Sequence, residues 1–270
     1  MIDSVQLLYA KEKSFFDQVH PLTENFKLHD VQIFLATILA YVFICLLGKA
    51  YIISFSLQLK SQLRVYNIFQ IFANGFLFIL TGHLISIRLR QDSVLCFGIH
   101  TENFNENDLL EVTATKIFYV SRLFDLLDTV FIVLRGKKQQ LSLLHVFHHA
   151  WVIFVFWRGV RYFPGAHGMW IMLLNSFVHF VMYTYYFLAT FKCLAPYLWW
   201  KKYITRLQIS QLCGMLVVGL VPIPSILIGT CNYSLLCCVE GVLCNSCLIA
   251  SFIKFHARSY GKQSKTKKEI

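Results

Sequence analysis

Residues 31–53 run VQIFLATILAYVFICLLGKAYII, with Lys49 as the one charged side chain. A stretch of about 20 apolar residues is long enough to cross the hydrocarbon core of a bilayer as a helix. In that medium a backbone that does not bond to itself leaves its polar groups unsatisfied, so an open strand or irregular segment is excluded. Comparable segments recur along the chain: candidate spans lie at roughly 31–53, 66–88, 114–134, 141–158, 166–190, 203–224 and 232–256. The expected fold is all-α, a polytopic membrane protein with seven transmembrane helices. The 270 residues read as one membrane-embedded domain, with 1–30 as a polar N-terminal segment and 257–270 as a basic tail. Composition agrees: the chain is 57% hydrophobic and 14% charged, with a mean hydropathy of +0.57, and soluble domains carry more charge. Residues 1–30 lack the short apolar core and small-residue cleavage site of a signal peptide.

A net charge of +11 could suggest nucleic acid as a partner. In a membrane protein it reads instead as the excess of lysine and arginine in cytosolic loops, and no nucleic-acid partner is expected. With seven spans and a cytosolic C-terminus, sixteen of the 25 lysines and arginines fall on the cytosolic side and eight on the other, Arg122 lying within a span. The bias places the N-terminus in the lumen. The C-terminal KKEI puts Lys267 and Lys268 where a dilysine retrieval signal for the endoplasmic reticulum has its lysines, and that signal is read from the cytosol. Asn232 opens an NYS sequon on the lumenal side. Most of the nine cysteines lie in apolar segments and read as packing residues, and no metal site is expected. Cys96 and Cys231 fall in two lumenal loops, an oxidising space, and are expected to form a disulfide.

Polar residues within the spans recur at helical spacing. SRLFDLLDT places Arg122, Asp125 and Asp128 at steps of three. LLHVFHHAW places His145, His148 and His149 at i, i+3 and i+4. NSFVHFVMYTYY places Asn175, His179, Tyr183 and Tyr186 at steps of four, four and three, and TRLQISQ places Thr205, Gln208 and Gln211 at steps of three. Each set occupies one helical face. Ionisable groups inside spans face the interior and mark function, so the four faces are expected to converge on one polar chamber. Plainer readings exist for single members: an ion pair between Arg122 and Asp128 that only holds helices, glutamines that only tie helices together, Tyr185 as an interfacial aromatic, His83 as structural. Three imidazoles within two turns exceed what helix packing needs.

Two chemistries fit such a cluster. Histidines at i, i+3 or i+4 can hold a metal, as in the HxxHH boxes of membrane di-iron desaturases and hydroxylases. Two irons need several boxes, and this chain has one; His20, His29, His83, His100, His167 and His256 are scattered. The alternative is imidazole as nucleophile and general base. A seven-span receptor or channel without catalysis is a third reading.

Taken in order, RLFDLLDT, HVFHH, NSFVHFVMYTYY and TRLQISQ, with YLWWKKY at 197–203, resemble the ELO family of fatty-acid elongases, especially its animal members. The likeness is strongest from 115 to 212. It implies seven helices around a tunnel, residence in the endoplasmic reticulum, and condensation of a long-chain or very-long-chain acyl-CoA with malonyl-CoA. The products would be a 3-oxoacyl-CoA, CoA and carbon dioxide, with no metal or redox cofactor. On that resemblance His148 attacks the thioester to give an acyl-imidazole, and His149 and His179 position the second substrate, with Asn175 and Gln208 as donors to an enolate oxygen. Asp128 orients an imidazole, with Asp125 beside it and His145 in support. Arg122, Tyr183 and Gln211 would contact substrate, and Lys137, Lys138, Lys201, Lys202 and Arg206 would meet the phosphates of coenzyme A. The bilayer, the other enzymes of the elongation cycle and a second copy of the chain are the implied partners. Gln140 and the HVF of residues 145–147 resemble members acting on polyunsaturated or very long chains. Two positions depart from the family pattern: Arg122 stands where lysine is usual and Asp125 where glutamate is usual. The charge signs are kept, but arginine does not act as a base.

Overall fold

The computed structural model describes residues 2–50 and 57–266, and the side chains of 2–5, 7, 8, 138 and 260–266 lie outside that description. Lys267, Lys268 and the side chain of Lys138 are therefore outside the described residues. Among the described residues the chain is helical with no strand. The long helices are α1 (Ile2–Asp17), α2 (Val31–Ala50), α3 (Lys60–Arg88), α4 (Glu106–Leu134), α5 (Leu143–Tyr162), α6 (Gly168–Leu188) and α7 (Lys201–Leu220); a short α8 (Ile223–Leu227) leads to α9 (Leu235–Thr266).

Among the described residues, six helical stretches are long and apolar enough to cross a membrane: α2, α3, α5, α6, α7 with α8, and α9 to Ser259. The expected span 114–134 lies in α4, which has 29 residues, as many as α3, but carries seven charged side chains. The chain is thus a multi-pass membrane protein by six helices, with α4 distinguished by its polarity. Helix neighbours close a ring, α3 to α6 to α7 to α9 to α5 to α4 and back to α3, while α2 lies outside against α4 and α5. Its place in the ring explains the composition of α4: Ser121, Arg122, Asp125 and Thr129 are all buried, and buried polar groups are tolerated where neighbouring helices supply partners.

Local chemistry sets the helix ends. Asn105 caps α4 by accepting from the amides of Asn107 and Asp108, while Asp108 accepts from the Asn105 amide, a capping box that satisfies otherwise orphaned donors. Ser142 caps α5 by accepting from His145 N at 3.2 Å, which fixes the turn carrying the first histidine. The α9 N-terminus is capped from far away. Glu12, on the unexpected helix α1, accepts from Ser234 Oγ at 2.6 Å, Leu235 N at 2.7 Å and Leu236 N at 3.2 Å, where a carboxylate also suits the helix dipole. The N-terminal segment is therefore a docked helix and not only a polar lead-in.

At the same end of the bundle Cys96 and Cys231 are joined by a disulfide, with Cα atoms 5.8 Å apart. Beside it Ile99 N donates to Asn232 O at 3.0 Å and Asn232 Nδ2 donates to Ile99 O at 3.2 Å. His20 secures the same region: Leu22 N donates to its Nδ1 and its Nε2 bonds His100 O at 2.8 Å, and burial pushes this imidazole below its ordinary pKa. The disulfide spans 135 residues of sequence, and chain-entropy reasoning assigns a loop of that length about 5 kcal/mol. Cys231→Ser is expected to lower the melting temperature of the detergent-solubilised protein, read by thermal unfolding under non-reducing conditions. An unchanged transition would show that the hydrogen bonds alone hold this end.

Candidate active site

Four helices of the ring bring polar side chains together. Arg122, on α4, is 1% exposed and is held from three helices. Its Nη1 donates to Asn175 Oδ1 at 2.8 Å and His179 Nδ1 at 2.6 Å, both on α6, and lies 2.9 Å from Asp125 Oδ2. Its Nη2 donates to Asn74 Oδ1 on α3 at 2.5 Å and to Ser121 Oγ at 2.8 Å. The four Nη hydrogens match Asn175, His179, Asn74 and Ser121, with Asp125 as the counter-charge and Nε left without a partner among the described residues, and the face of Phe118 lies 4.7 Å away.

Asp125 accepts from Gln70 Nε2 at 2.6 Å. The Tyr183 hydroxyl sits between two carboxylates, 2.6 Å from Asp128 Oδ2 and 3.1 Å from Asp125 Oδ1, with Tyr66 OH 3.2 Å away. Each buried charge thus has several hydrogen-bonding partners, the condition under which a bundle keeps them.

The histidines divide into two kinds. His145 Nε2 bonds Thr129 Oγ1 at 2.8 Å and His179 Nδ1 is bonded to Arg122. Among the described residues, no protein group hydrogen-bonds the ring nitrogens of His148 or His149; their contacts are between rings. His148 and His149 have centroids 5.4 Å apart, His145 and His149 4.4 Å, and His148 lies 6.5 Å from Phe252. His145, His148, His149 and Asp128 are half-buried, whereas Arg122, Asp125, Asn175, His179 and Tyr183 are buried. His179 lies within electrostatic reach of His148, His149 and Arg122.

Several expectations change here. Asp128 takes its hydrogen bond from Tyr183 and not from an imidazole; within the cluster it is Asp125 that lies beside a histidine, 3.5 Å from His179 Nδ1. Gln208 and Gln211 do not join the cluster. Gln208 Nε2 approaches Met182 Sδ at 3.5 Å and Gln211 Nε2 approaches Met215 Sδ at 3.7 Å. Tyr185 is buried against Trp200, centroids 5.0 Å apart, and does not face the interface, while His83 is exposed. Lys137, Lys201, Lys202 and Arg206 are exposed at helix ends, Lys202 and Arg206 lying over the Tyr203 ring at 5.0 and 5.3 Å. Ser121 and Thr129, on α4, were missed, and so were three residues on α3, Tyr66, Gln70 and Asn74. Their spacing of four residues was the available signal.

Cys244 and Cys247 have a C-x-x-C spacing on α9 that a pure packing reading of the cysteines passes over. Among the described residues, no group of three or more His, Cys, Asp or Glu is placed to hold a metal ion.

A family model described as ELO, the GNS1/SUR4 family, matches residues 26–268. Very long chain fatty acid elongase 5 of Macaca fascicularis is 32% identical over 174 residues, covering 64% of this chain and 56% of that protein. A very long chain fatty acid elongase of Aedes aegypti is 37% identical over 184 residues, 65% of this chain and 48% of the relative. Elongase 2 of Mus musculus is 32% identical over 177 residues, 64% and 59%. The chain spans about half the length of the curated relatives it matches.

Proposed function

The chain belongs to the ELO (GNS1/SUR4) family, and on that premise we propose that it is a 3-oxoacyl-CoA synthase, condensing a long-chain or very-long-chain acyl-CoA with malonyl-CoA. It works in the endoplasmic reticulum membrane with its N-terminus in the lumen, its C-terminus in the cytosol, and α4 as the seventh crossing. The ring of six helices encloses the acyl tunnel, and the polar cluster is the chamber at which it stops. Lys137, Lys138, Lys201, Lys202 and Arg206 meet the phosphates of coenzyme A on the cytosolic side.

One observation carries the chemistry: of four clustered imidazoles, two are tied to protein partners and two, His148 and His149, have ring nitrogens that no described residue bonds. A neutral imidazole with an uncommitted lone pair is a nucleophile. His148 adds to the thioester carbonyl, the C–S bond breaks, and CoA leaves as thiolate and takes up a proton, giving an acyl-imidazole. Malonyl-CoA then loses carbon dioxide. The electron pair of the breaking C–C bond becomes the enolate, whose carbon attacks the acyl carbonyl; the C–N bond breaks and His148 leaves, taking up a proton from water to return as neutral imidazole. The developing oxyanions need donors in a water-poor site, and Asn175, His149 and His179 are assigned that role. The reading needs no metal and no redox cofactor. The other elongation-cycle enzymes and a second copy of this chain are the partners proposed.

Purified protein is expected to release labelled carbon dioxide from carboxyl-labelled malonyl-CoA when given a panel of acyl-CoAs, with a chain-length optimum set by the tunnel. Absence of product with every acyl chain would defeat the assignment, and stoichiometric iron in active protein would support the di-iron alternative.

A further inference from the structure

Resting on the reading of the cluster as a condensing site, we infer that Arg122 fixes His179 as the neutral tautomer protonated on Nε2. His179 then serves as a hydrogen-bond donor to a substrate oxygen, neither carrying the acyl group nor acting as a base.

A guanidinium has donors and no acceptor. Arg122 Nη1 lies 2.6 Å from His179 Nδ1. A proton on Nδ1 would point into the N–H groups of Nη1, so Nδ1 accepts. The other direction open to an Nδ1 proton is Asp125 Oδ2, but that oxygen is 3.5 Å from Nδ1, against 2.9 Å from Arg122 Nη1, and a contact of 3.5 Å falls outside the ordinary hydrogen-bond range. The guanidinium has no freedom to turn away, because Asn74 from α3 and Ser121 hold Nη2 while Asn175 from α6 shares Nη1. Tautomer choice in a histidine follows from the bond its other nitrogen makes. With Nδ1 accepting, the neutral ring carries its proton on Nε2, on the far side from Arg122.

The consequence separates the histidines. The Nδ1 lone pair of His179 is committed and its Nε2 lone pair belongs to the ring π system, so His179 offers neither a nucleophilic nor a basic nitrogen. It offers an N–H that needs no reorganisation as charge grows on an oxygen. His148 and His149 are the inverse case, with nitrogens that no group among the described residues occupies. Arg122 is a positioning residue in this scheme: it reaches the substrate through His179.

The tautomer is read directly by ¹⁵N NMR of protein labelled at histidine, His179 being assigned by the signal that His179→Gln removes. The expected result is a neutral ring with Nε2 protonated and Nδ1 bare. A proton on Nδ1, or a doubly protonated ring, overturns the inference whether or not the protein elongates anything, and loss of elongation in the wild type with this spectrum intact would overturn only the functional reading. Arg122→Lys keeps the charge on a single nitrogen that does not span the five partners, and is expected to release His179 into both tautomers; an unchanged single tautomer would show that Arg122 does not set it. In the assay, Gln places an amide N–H near the position of Nε2. His179→Gln is expected to lose about tenfold in kcat and His179→Ala about a hundredfold to a thousandfold, the scale of one removed oxyanion donor. His179→Gln should still form the acyl adduct from acyl-CoA alone. An adduct mapped to residue 179, or Gln as inactive as Ala, overturns the donor role.

Discussion

Incubated with acyl-CoA and no malonyl-CoA, the wild-type protein is expected to gain the mass of one acyl group, and His148→Ala is expected to gain none and to lose at least about a thousandfold in condensation rate. A residue that forms the covalent intermediate cannot be replaced by its neighbours without losing the whole two-step route, and nucleophile deletions in other acyl-transfer enzymes cost about a millionfold. His149→Ala separates the two open imidazoles. It removes a ring 5.4 Å from His148 and is expected to slow condensation while the adduct still forms. Intact-mass measurement with peptide mapping decides the matter, and an adduct that persists in His148→Ala would move the nucleophile to His149. His145→Ala is expected to act more weakly, since its Nε2 is occupied by Thr129.

The helices of the bundle were legible because hydrocarbon leaves a chain few options: apolar runs of span length have to be helices, and the six apolar helices fall on the predicted spans. The polarity of the third span was informative for the same reason. Arg122, Asp125 and Thr129 share a buried face on α4 because there is nowhere else in a bundle to put them. Spacing says which residues share a face but not which way that face points. Thr205, Gln208 and Gln211 were grouped correctly on one stripe, yet Gln208 meets Met182 and Gln211 meets Met215 on its own helix.

The α3 contribution was missed for a related reason. Tyr66, Gln70 and Asn74 carry no charge, and Asn74 Nδ2 bonds Gln70 O one turn back, so such a stripe passes for local helix bonding. Only the partners across the bundle, Asp125 for Gln70 and Arg122 for Asn74, make it part of the site. The Glu12 cap on α9 joins residues more than two hundred positions apart, and no local pattern announces such a bond. Where function was concerned, the histidine run raised a metal and a nucleophile, and the single box favoured the nucleophile; the fold adds that Thr129 and Arg122 occupy nitrogens of His145 and His179.

Arg122→Met is expected to destabilise the protein by about 3–5 kcal/mol, the range for removing one partner of a buried ion pair. The lost side chain holds Asn74, Ser121, Asp125, Asn175 and His179. Methionine fills much of the volume but bonds none of them, and Asp125 is left as a buried carboxylate with Gln70 and Tyr183 as its donors. If stranded charge is the cause, Asp125→Asn added to Arg122→Met should recover part of the loss, because the amide removes the unpaired charge and keeps the shape. A double-mutant cycle on melting temperatures in detergent measures the coupling. Strict additivity of the two substitutions would show that Arg122 acts through the amide and imidazole acceptors and not through Asp125. Elongation by the double variant should stay far below wild type even where the fold is recovered, since neither substitution restores a donor to His179 Nδ1.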